Sequence, residues 1–304
     1  AGRSSSLAES AQQGRPLRRR RVAEPDKSLH GSPLEAAADW KSHIEIAHPC
    51  WNGYRELIEV LPAEEFPTAG TLTRMLAPGT RSKGGPPVRF VPAGKLPGVE
   101  YEQHIFDTGE VSTRENNWHD LFNALAWCRL PRLKATMNFL HYRELDLAKD
   151  GRRGKLRDAL TLFDESGVIV AGPDLEALEA LARRDWNAAF VGHREAWPDK
   201  LQVLVCGHAI LEKFLNPYKS VTAHAVLLHT QRMPLEKLDS LLANRLGEGR
   251  LFDTTAGLSP IPLMGIPGWW GSGEQDRIFY ADQDVFRTAP KRLDPAPVYR
   301  SDYL

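Results

Sequence analysis

The fold class is decided by residues 160–170, which read Leu160-Thr161-Leu162-Phe163-Asp164-Glu165-Ser166-Gly167-Val168-Ile169-Val170. Two apolar runs are separated here by two acidic residues, a serine and a glycine, a composition typical of two strands joined by a tight turn. Gly167 stands where such a turn requires a left-handed residue, which glycine adopts without steric cost. The stretch therefore predicts an antiparallel hairpin, in which Asp164 and Glu165 serve the turn.

A second hairpin is predicted earlier in the chain. Residues 99–106 alternate between two faces, and Asp107-Thr108-Gly109 turns the chain into residues 110–113. Tight hairpins interspersed with helices favour an α+β fold with antiparallel pairing over a doubly wound parallel sheet. Apolar spacing and turn residues predict the other elements: helices near residues 34–46, 51–58, 117–130, 133–144, 173–190, 208–216 and 235–246, and strands near residues 88–91, 201–205 and 221–227.

The composition changes at the start of the chain. Residues 1–33 are rich in Ser, Gly, Arg and Pro and almost lack aliphatic and aromatic residues, so we predict a disordered basic tail. Residues 34–304 are predicted to form a single domain. Glycines and prolines between Pro67 and Pro87 indicate a linker or a mobile flap. Prolines from about residue 250 onward indicate an irregular C-terminal segment that wraps the core.

Charge and cysteine usage limit the class of protein. The 304 residues include 39 basic and 39 acidic ones, a balance that gives no global attraction to nucleic acid or anionic lipid. Only the Arg18–Arg21 cluster offers local basic charge, and a solvated tail is the favoured interpretation of it. Three separate cysteines without a CxxC pair indicate a reducing compartment. Because we find neither a long apolar run nor a secretion signal, we expect a cytoplasmic protein without a membrane span.

The densest polar stretch of the chain is residues 113–125. On a helix His119 and Asn123 share a face, next to an apolar stripe. We expect the helix N-terminus and burial to lower the pKa of His119 and keep it neutral, so it is a candidate base or metal ligand. Asp120 or Glu115 would orient it, and either Arg114 or the helix start near His208 would stabilise an anion. The alternative is structural, since polar residues at a helix start also cap it and His119 and Asn123 can satisfy each other.

Two further histidines are candidates. His208 follows a glycine at a predicted helix start, and Glu212 lies four residues later on the same face, a spacing that can hold a metal or a histidine–carboxylate pair. His141 lies in the second helix of the predicted helical pair. If a divalent metal is bound, His119, His141 and His208 together with a carboxylate are the expected ligands. Phosphate-cradling glycine loops and nucleophile elbows are absent from the sequence.

Several motifs in the chain are distinctive: Tyr101-Glu102, residues 113–116, the run Trp118-His119-Asp120-Leu121-Phe122-Asn123-Ala124-Leu125, Pro131-Arg132 with the downstream His141, residues 157–165, Gly207-His208-Ala209 with Glu212-Lys213, and residues 262–269. Together they resemble a bacterial family known as domain of unknown function 3025, over roughly residues 51–287. The resemblance implies a bacterial protein. It implies no activity, cofactor or catalytic residue.

Three functional hypotheses follow. The first is a hydrolase that acts on a small-molecule substrate with histidine–carboxylate chemistry, with or without a divalent metal. The second is a ligand- or protein-binding module that uses the glycine- and proline-rich flap and the Trp269-Trp270 pair as an aromatic surface. The third is nucleic-acid binding through the Arg18–Arg21 tail. The sequence favours the hydrolase and leaves the oligomeric state open.

Overall fold

A computed structural model describes residues 39–94, 100–147, 154–197, 199–271, 273–290 and 294–301. Helices and mixed sheets alternate along this part of the chain, and the predicted α+β class is confirmed. The basic tail and the Arg18–Arg21 cluster lie outside the described residues. None of the described helices is both long and apolar enough to cross a bilayer.

The α-helices are α1 (Arg55–Glu59), α2 (Ala69–Met75), α3 (Tyr101–Thr108), α4 (Trp118–Arg129), α5 (Pro131–Leu147), α6 (Lys155–Ser166), α7 (Leu175–Ala182), α8 (His208–Lys213), α9 (Leu235–Gly247) and α10 (Arg277–Tyr280). The strands are β1 (Arg89–Pro92), β2 (Glu110–Thr113), β3 (Gly167–Gly172), β4 (Gln202–Val205), β5 (Thr222–His229), β6 (Ser259–Pro262) and β7 (Val298–Arg300). The chain also forms short 3₁₀ segments at Trp40–His43 and Pro49–Trp51 and a π-helical turn at Ala188–Gly192.

The larger sheet has the strand order β4-β3-β5-β6. Strand β3 pairs antiparallel with β4 and parallel with β5, and all six of its residues are buried. Burial on both faces explains its continuous apolar sequence, which is typical of a central strand. Strand β5 pairs with β6 through its first half and with β7 through its second half. Strands β1 and β2 form a separate parallel pair.

The hairpin predicted over residues 160–170 is wrong, because its first half is the end of helix α6. Ala159, Leu160 and Phe163 are buried at helical spacing, which the short run 160–163 read alone cannot reveal. Gly167 is the first residue of β3 and has φ −72° and ψ 144°, an extended conformation and not a left-handed one. The segment is a helix followed directly by a strand.

The hairpin predicted over residues 99–113 is also wrong. Residues 101–108 form helix α3, in which Ile105 is buried, and Gly109 ends the helix with φ 73°. A left-handed glycine serves a helix C-terminus as well as a hairpin turn, and this ambiguity misled the prediction. Strand β2 pairs with β1, with Arg89 opposite Glu110.

Other segments differ more modestly from expectation. Helix α2 lies inside the predicted flap, and Thr68 caps it by accepting a hydrogen bond from the Thr71 N–H. The helix predicted for residues 34–46 is a 3₁₀ segment at Trp40–His43, and residues 34–38 lie outside the described part. The C-terminal segment contributes β6 and β7 to the larger sheet and is therefore only partly irregular.

Two glycines hold the end of α6 against the start of α8. The Gly167 carbonyl accepts hydrogen bonds from the N–H groups of Cys206 and Gly207, at 3.0 and 2.8 Å. A Cβ atom on Gly207 would lie 2.6 Å from the Glu165 carbonyl oxygen, and one on Gly167 would lie 2.9 Å from the Cys206 sulfur. Only residues without a Cβ allow this approach, which brings Glu165 beside His208.

We expect Gly207→Ala to destabilise the protein by about 1–3 kcal/mol, because backbone atoms cannot move aside as a flexible side chain would. The matched control is Gly70→Ala in α2, where the added methyl meets nothing nearer than 3.7 Å. That change should be neutral or stabilising by about 0.5 kcal/mol. Urea unfolding followed by circular dichroism measures both variants, and equal stabilities would contradict the proposed close contact.

Candidate functional site

A polar cavity of about 420 Å³ lies among α3, α4, α5, α6 and α8. Its walls contain most of the titratable residues that the sequence singled out. The lining residues are Ala93, Gly94, Tyr101, Glu102, Ser112, Arg114, His119, Asp120, Asn123, His141, Thr161, Asp164, Glu165 and His208. The cavity is of the size of a small-molecule site, and its lining is more polar than is usual for one.

His119 and His208 meet at one wall of this cavity. Their Nε2 atoms are 2.9 Å apart, and their rings are nearly perpendicular with centroids 4.3 Å apart. His119 lies in the first turn of α4, where the Asn117 side chain accepts a hydrogen bond from the Asp120 N–H and caps the helix. His208 is the first residue of α8, directly after Gly207. Residues 89 positions apart in sequence are thus in contact.

Carboxylates surround this imidazole pair. The Nδ1 atom of His119 lies 3.2 Å from Glu212 Oε2, and the Nδ1 atom of His208 lies 3.8 Å from Asp164 Oδ2. Glu165 Oε1 approaches the His208 Nε2 atom to 3.6 Å. His208 and Glu212 are four residues apart on α8, so His119 packs against the helix face that carries both.

The surroundings shift the pKa values of these groups in opposite directions. The hydrogen bond with Glu212 raises the pKa of His119 above its ordinary value, so the lowered pKa predicted from the sequence is wrong. Burial lowers the pKa of His208 to about 4, so its imidazole is neutral near pH 7. Burial also raises the pKa of the Glu165 carboxyl. The pair therefore combines one readily protonated and one neutral imidazole.

A buried lysine holds Asp164 in place. Lys134 on α5 forms an ion pair with the Asp164 carboxylate and donates a hydrogen bond to Asn123 Oδ1 at 2.9 Å. Burial would raise the pKa of Asp164, but Lys134 and His208 together bring it below its ordinary value. Asp164 is therefore ionised at neutral pH. His141 is buried on the same helix and lines the cavity, and its charge contributes to the lowering of the Asp164 pKa.

Glu102 is the acidic group that α3 contributes. The Asn138 side-chain amide donates to Glu102 Oε2 at 2.6 Å and to the Glu102 main-chain carbonyl at 2.9 Å, which fixes the side chain. Burial raises the pKa of Glu102 to about 7, although the hydrogen bond from Asn138 opposes the shift. The carboxyl is therefore about half protonated at neutral pH and can donate or accept a proton there.

The remaining predicted site residues have other surroundings. Arg114 donates hydrogen bonds to both carboxylate oxygens of Asp120, at 3.0 and 2.8 Å. Among the hydrogen bonds of the described residues, none joins the side chains of Asp120 and His119. Asn123 bonds Lys134 instead of His119. Glu115 is exposed and lies outside the cavity lining.

Sequence reasoning passed over Lys134 and Asn138 as parts of a site, and it assigned Glu165 to a turn. A signal for the first two exists, because positions 134, 138 and 141 lie on one face of α5 and are polar, yet all three are buried. Polar residues that share the buried face of a helix with apolar ones indicate a buried polar site.

The Trp269-Trp270 pair does not form an aromatic surface of two exposed rings. Trp269 is buried, with its ring centroid 5.8 Å from that of Phe214. Trp270 is partly buried beside Phe279.

Comparison with known proteins agrees with the motifs around this cavity. A family model described as "Protein of unknown function (DUF3025)" matches residues 88–292, more than half of the chain. The chain belongs to the DUF3025 family. The matched range contains every cavity residue named above, so the site lies within the DUF3025 region. Neither the curated proteins nor the solved structures contain a match to this chain.

We expect Glu212→Gln to lower the pKa of His119, because the carboxylate that favours the imidazolium is replaced by a neutral amide. Proton NMR titration of the imidazole resonances in EDTA-treated protein measures the shift, and His119→Ala assigns the resonance. The matched control is Glu236→Gln, which changes an exposed glutamate on α9. A His119 pKa equal in wild type and Glu212→Gln would contradict the assigned contact.

We expect Glu102→Gln to change how stability depends on pH. The pKa of folded Glu102 is raised to about 7, so wild-type stability falls as pH rises from the ordinary glutamate range through 7. The free energy of unfolding of the variant, relative to that of wild type, should therefore increase by on the order of 3 kcal/mol between about pH 5 and pH 8. Urea unfolding at both pH values measures the difference. The exposed Glu56→Gln should show no such gain, and a pH-independent difference for Glu102→Gln would rule the raised pKa out.

Proposed function

We propose that the cavity is the active site of a hydrolase that uses histidine–carboxylate chemistry on a small-molecule substrate. One observation carries the proposal: the Nε2 atoms of His119 and His208 are 2.9 Å apart, and the Glu165 carboxylate is 3.6 Å from the second of them, at the wall of a cavity that Glu102 also lines. Hydrolysis requires a group that activates water and a group that protonates the leaving atom. The cavity contains candidates for both.

The imidazole pair is the proposed site of water activation. Glu212 orients His119 through Nδ1 and leaves Nε2 for the cavity, as orienting carboxylates do in known hydrolytic sites. His208 is neutral at pH 7 and buried, so it keeps a lone pair for a proton or a ligand. Burial in a polar but restricted cavity strengthens the electrostatic effect of each group on a bound water.

Glu102 is the proposed proton donor. Asn138 fixes one of its carboxylate oxygens, and the side chain lines the cavity in which a substrate would lie. In the proposed step, the water oxygen bonds to the substrate's electrophilic carbon or phosphorus while the bond to the leaving atom breaks. The leaving atom takes the Glu102 proton, and an imidazole of the pair takes the proton released by the attacking water. Transfer of that proton from the imidazole to the Glu102 carboxylate restores the starting state.

Arg114 and Asp120 are proposed as a polar edge of the substrate site. Their bidentate ion pair neutralises both charges, so Arg114 is available to an anionic substrate only if it exchanges partners.

The cytoplasm remains the proposed compartment, and the three free cysteines agree with a reducing one.

The test is hydrolysis of 4-nitrophenyl acetate, bis(4-nitrophenyl) phosphate and leucine 4-nitroanilide, which represent ester, phosphodiester and amide bonds. We expect turnover of at least one, with a loss of about 100-fold or more in His119→Ala and His208→Ala. Wild-type activity should fall as pH rises above about 7, where Glu102 loses its proton, and this fall should be absent from Glu102→Gln. His104→Gln, a histidine on α3 that pairs with Glu110 outside the cavity, is the matched control.

Two results would overturn the proposal. One is the absence of turnover above the uncatalysed rate for all three bond types. The other is activity that His119→Ala and His208→Ala leave at the wild-type level. Ligand binding in the cavity without turnover would favour the alternative of a binding module.

A further inference from the structure

We infer that the cavity binds one divalent transition-metal ion through His119 Nε2, His208 Nε2 and the Glu165 carboxylate. Its role as the cofactor that activates water rests on the proposed hydrolase function, but its binding does not. These three residues are the set of histidine, cysteine and acidic side chains within the described part of the chain whose ligand atoms come close enough to share an ion, all within 4.8 Å of one another.

The distance between the two imidazoles matches that between neighbouring ligands of a single ion, and Glu165 lies slightly outside that range. An ion with bonds of about 2.0–2.2 Å holds adjacent ligand atoms about 2.9–3.5 Å apart, depending on its geometry. The two Nε2 atoms are 2.9 Å apart, and the His208 Nε2 atom is 3.6 Å from Glu165 Oε1. The Glu165 side chain is 44% exposed, so it has space to rotate toward His119 and complete the set.

The two imidazoles are arranged so that a metal ion can take the place of a shared proton. His119 faces Glu212 with Nδ1 at 3.2 Å, which favours a proton on that atom, whereas His208 Nδ1 faces Asp164 Oδ2 at 3.8 Å, beyond hydrogen-bond distance. The two Nε2 atoms are 2.9 Å apart, so without a metal ion one of them must carry a proton that it donates to the other. A bound metal ion accepts both lone pairs.

The carboxylates behind the rings are those of a metal site. A histidine ligand almost always donates its other N–H to a carboxylate or carbonyl, which fixes the ring and increases its basicity. Glu212 fills this role for His119 at 3.2 Å, and Asp164 lies behind His208 and is itself fixed by Lys134. The sequence-based ligand set included His141, but that residue does not belong to the close cluster.

The charges around the cluster also favour a cation. Lys134 is paired with Asp164, and Arg114 is paired with Asp120. Among the described residues, Glu165 and Glu212 form ion pairs only with the two histidines. Two carboxylates therefore face the two imidazoles, and no lysine or arginine among the described residues is paired with either carboxylate. A divalent ion would balance this excess of negative charge.

Two imidazoles and one carboxylate suit zinc, iron(II) or manganese(II). Three protein ligands leave coordination positions open to water and substrate, as in catalytic sites, whereas structural zinc sites are closed by four ligands. A metal at this point would lower the pKa of a bound water toward neutrality. Glu102 would remain outside the ligand set, free to transfer protons.

The experiment is isothermal titration of EDTA-treated, full-length protein with Zn²⁺ and with Mn²⁺. We expect one ion per chain, and at least about 100-fold weaker binding in His119→Ala, His208→Ala and Glu165→Gln. Glu212→Gln should weaken binding about 10–100-fold, since it removes only the group that orients a ligand. His104→Gln should bind as wild type does. Circular dichroism verifies that each variant is folded.

X-ray absorption of the Zn²⁺-loaded protein provides a second measurement that does not depend on activity. We expect two imidazoles around zinc in wild type and one in His208→Ala. Binding that is absent in wild type, or unchanged in the three ligand variants, would overturn the metal site. A loss in His141→Gln as large as that in His208→Ala would overturn the ligand set in favour of three histidines.

The two proposals fail separately. Metal binding with the expected variants but no hydrolysis would refute the proposed function and leave the metal site in place. Hydrolysis that EDTA does not reduce, in a protein that binds no Zn²⁺ or Mn²⁺, would refute the metal site and leave the hydrolase.

Discussion

The site depends on a close backbone contact between Gly167 and Gly207. Helix α6 ends next to Gly167, where β3 begins, and Gly207 lies between the end of β4 and the start of α8. The two connections therefore pack against each other without intervening side chains. The Gly167 carbonyl accepts two N–H groups from the facing segment, which fixes the distance between them. As a result, the acidic end of α6 lies against the first residue of α8, and Asp164 and Glu165 lie beside His208. A bulkier residue at either glycine would separate these elements.

Around that contact, the site is built from groups that depend on each other for their charge. Lys134 is buried and is stabilised by Asp164, whose carboxylate also lies 3.8 Å from His208 Nδ1. Among the described residues no cation forms an ion pair with Glu102, so burial outweighs the more distant Lys134 and Arg157 and keeps its carboxyl close to half protonated at neutral pH. One cavity thus contains an ionised and a protonatable carboxyl, a separation of roles that acid–base catalysis requires. Placing these groups on packed helices and not on loops keeps their distances fixed.

The family assignment and the geometry contribute different information. The DUF3025 match covers the cavity and names no chemistry, whereas the contacts between α4, α6 and α8 suggest one. Much of this was accessible from sequence. The helix that begins at Trp118, the helix start at His208 and the shared face of His208 and Glu212 follow from capping residues and periodicity. The two predicted hairpins were wrong because a glycine after a short apolar run ends a helix as well as it turns a hairpin.

The sequence by itself determined the α+β class, most helix positions and the residue types available for chemistry, because these depend on local spacing, capping and composition. Only the tertiary structure decided which of those residues meet. His119 and His208 are 89 positions apart, and nothing local specifies that their Nε2 atoms lie 2.9 Å apart. Likewise, composition predicts that Glu165 is a turn residue. It is a candidate ligand only because Gly167 and Gly207 allow the backbone at the end of α6 to contact the backbone at the start of α8. Long-range contacts of this kind follow from packing of the whole core, which no window of sequence contains.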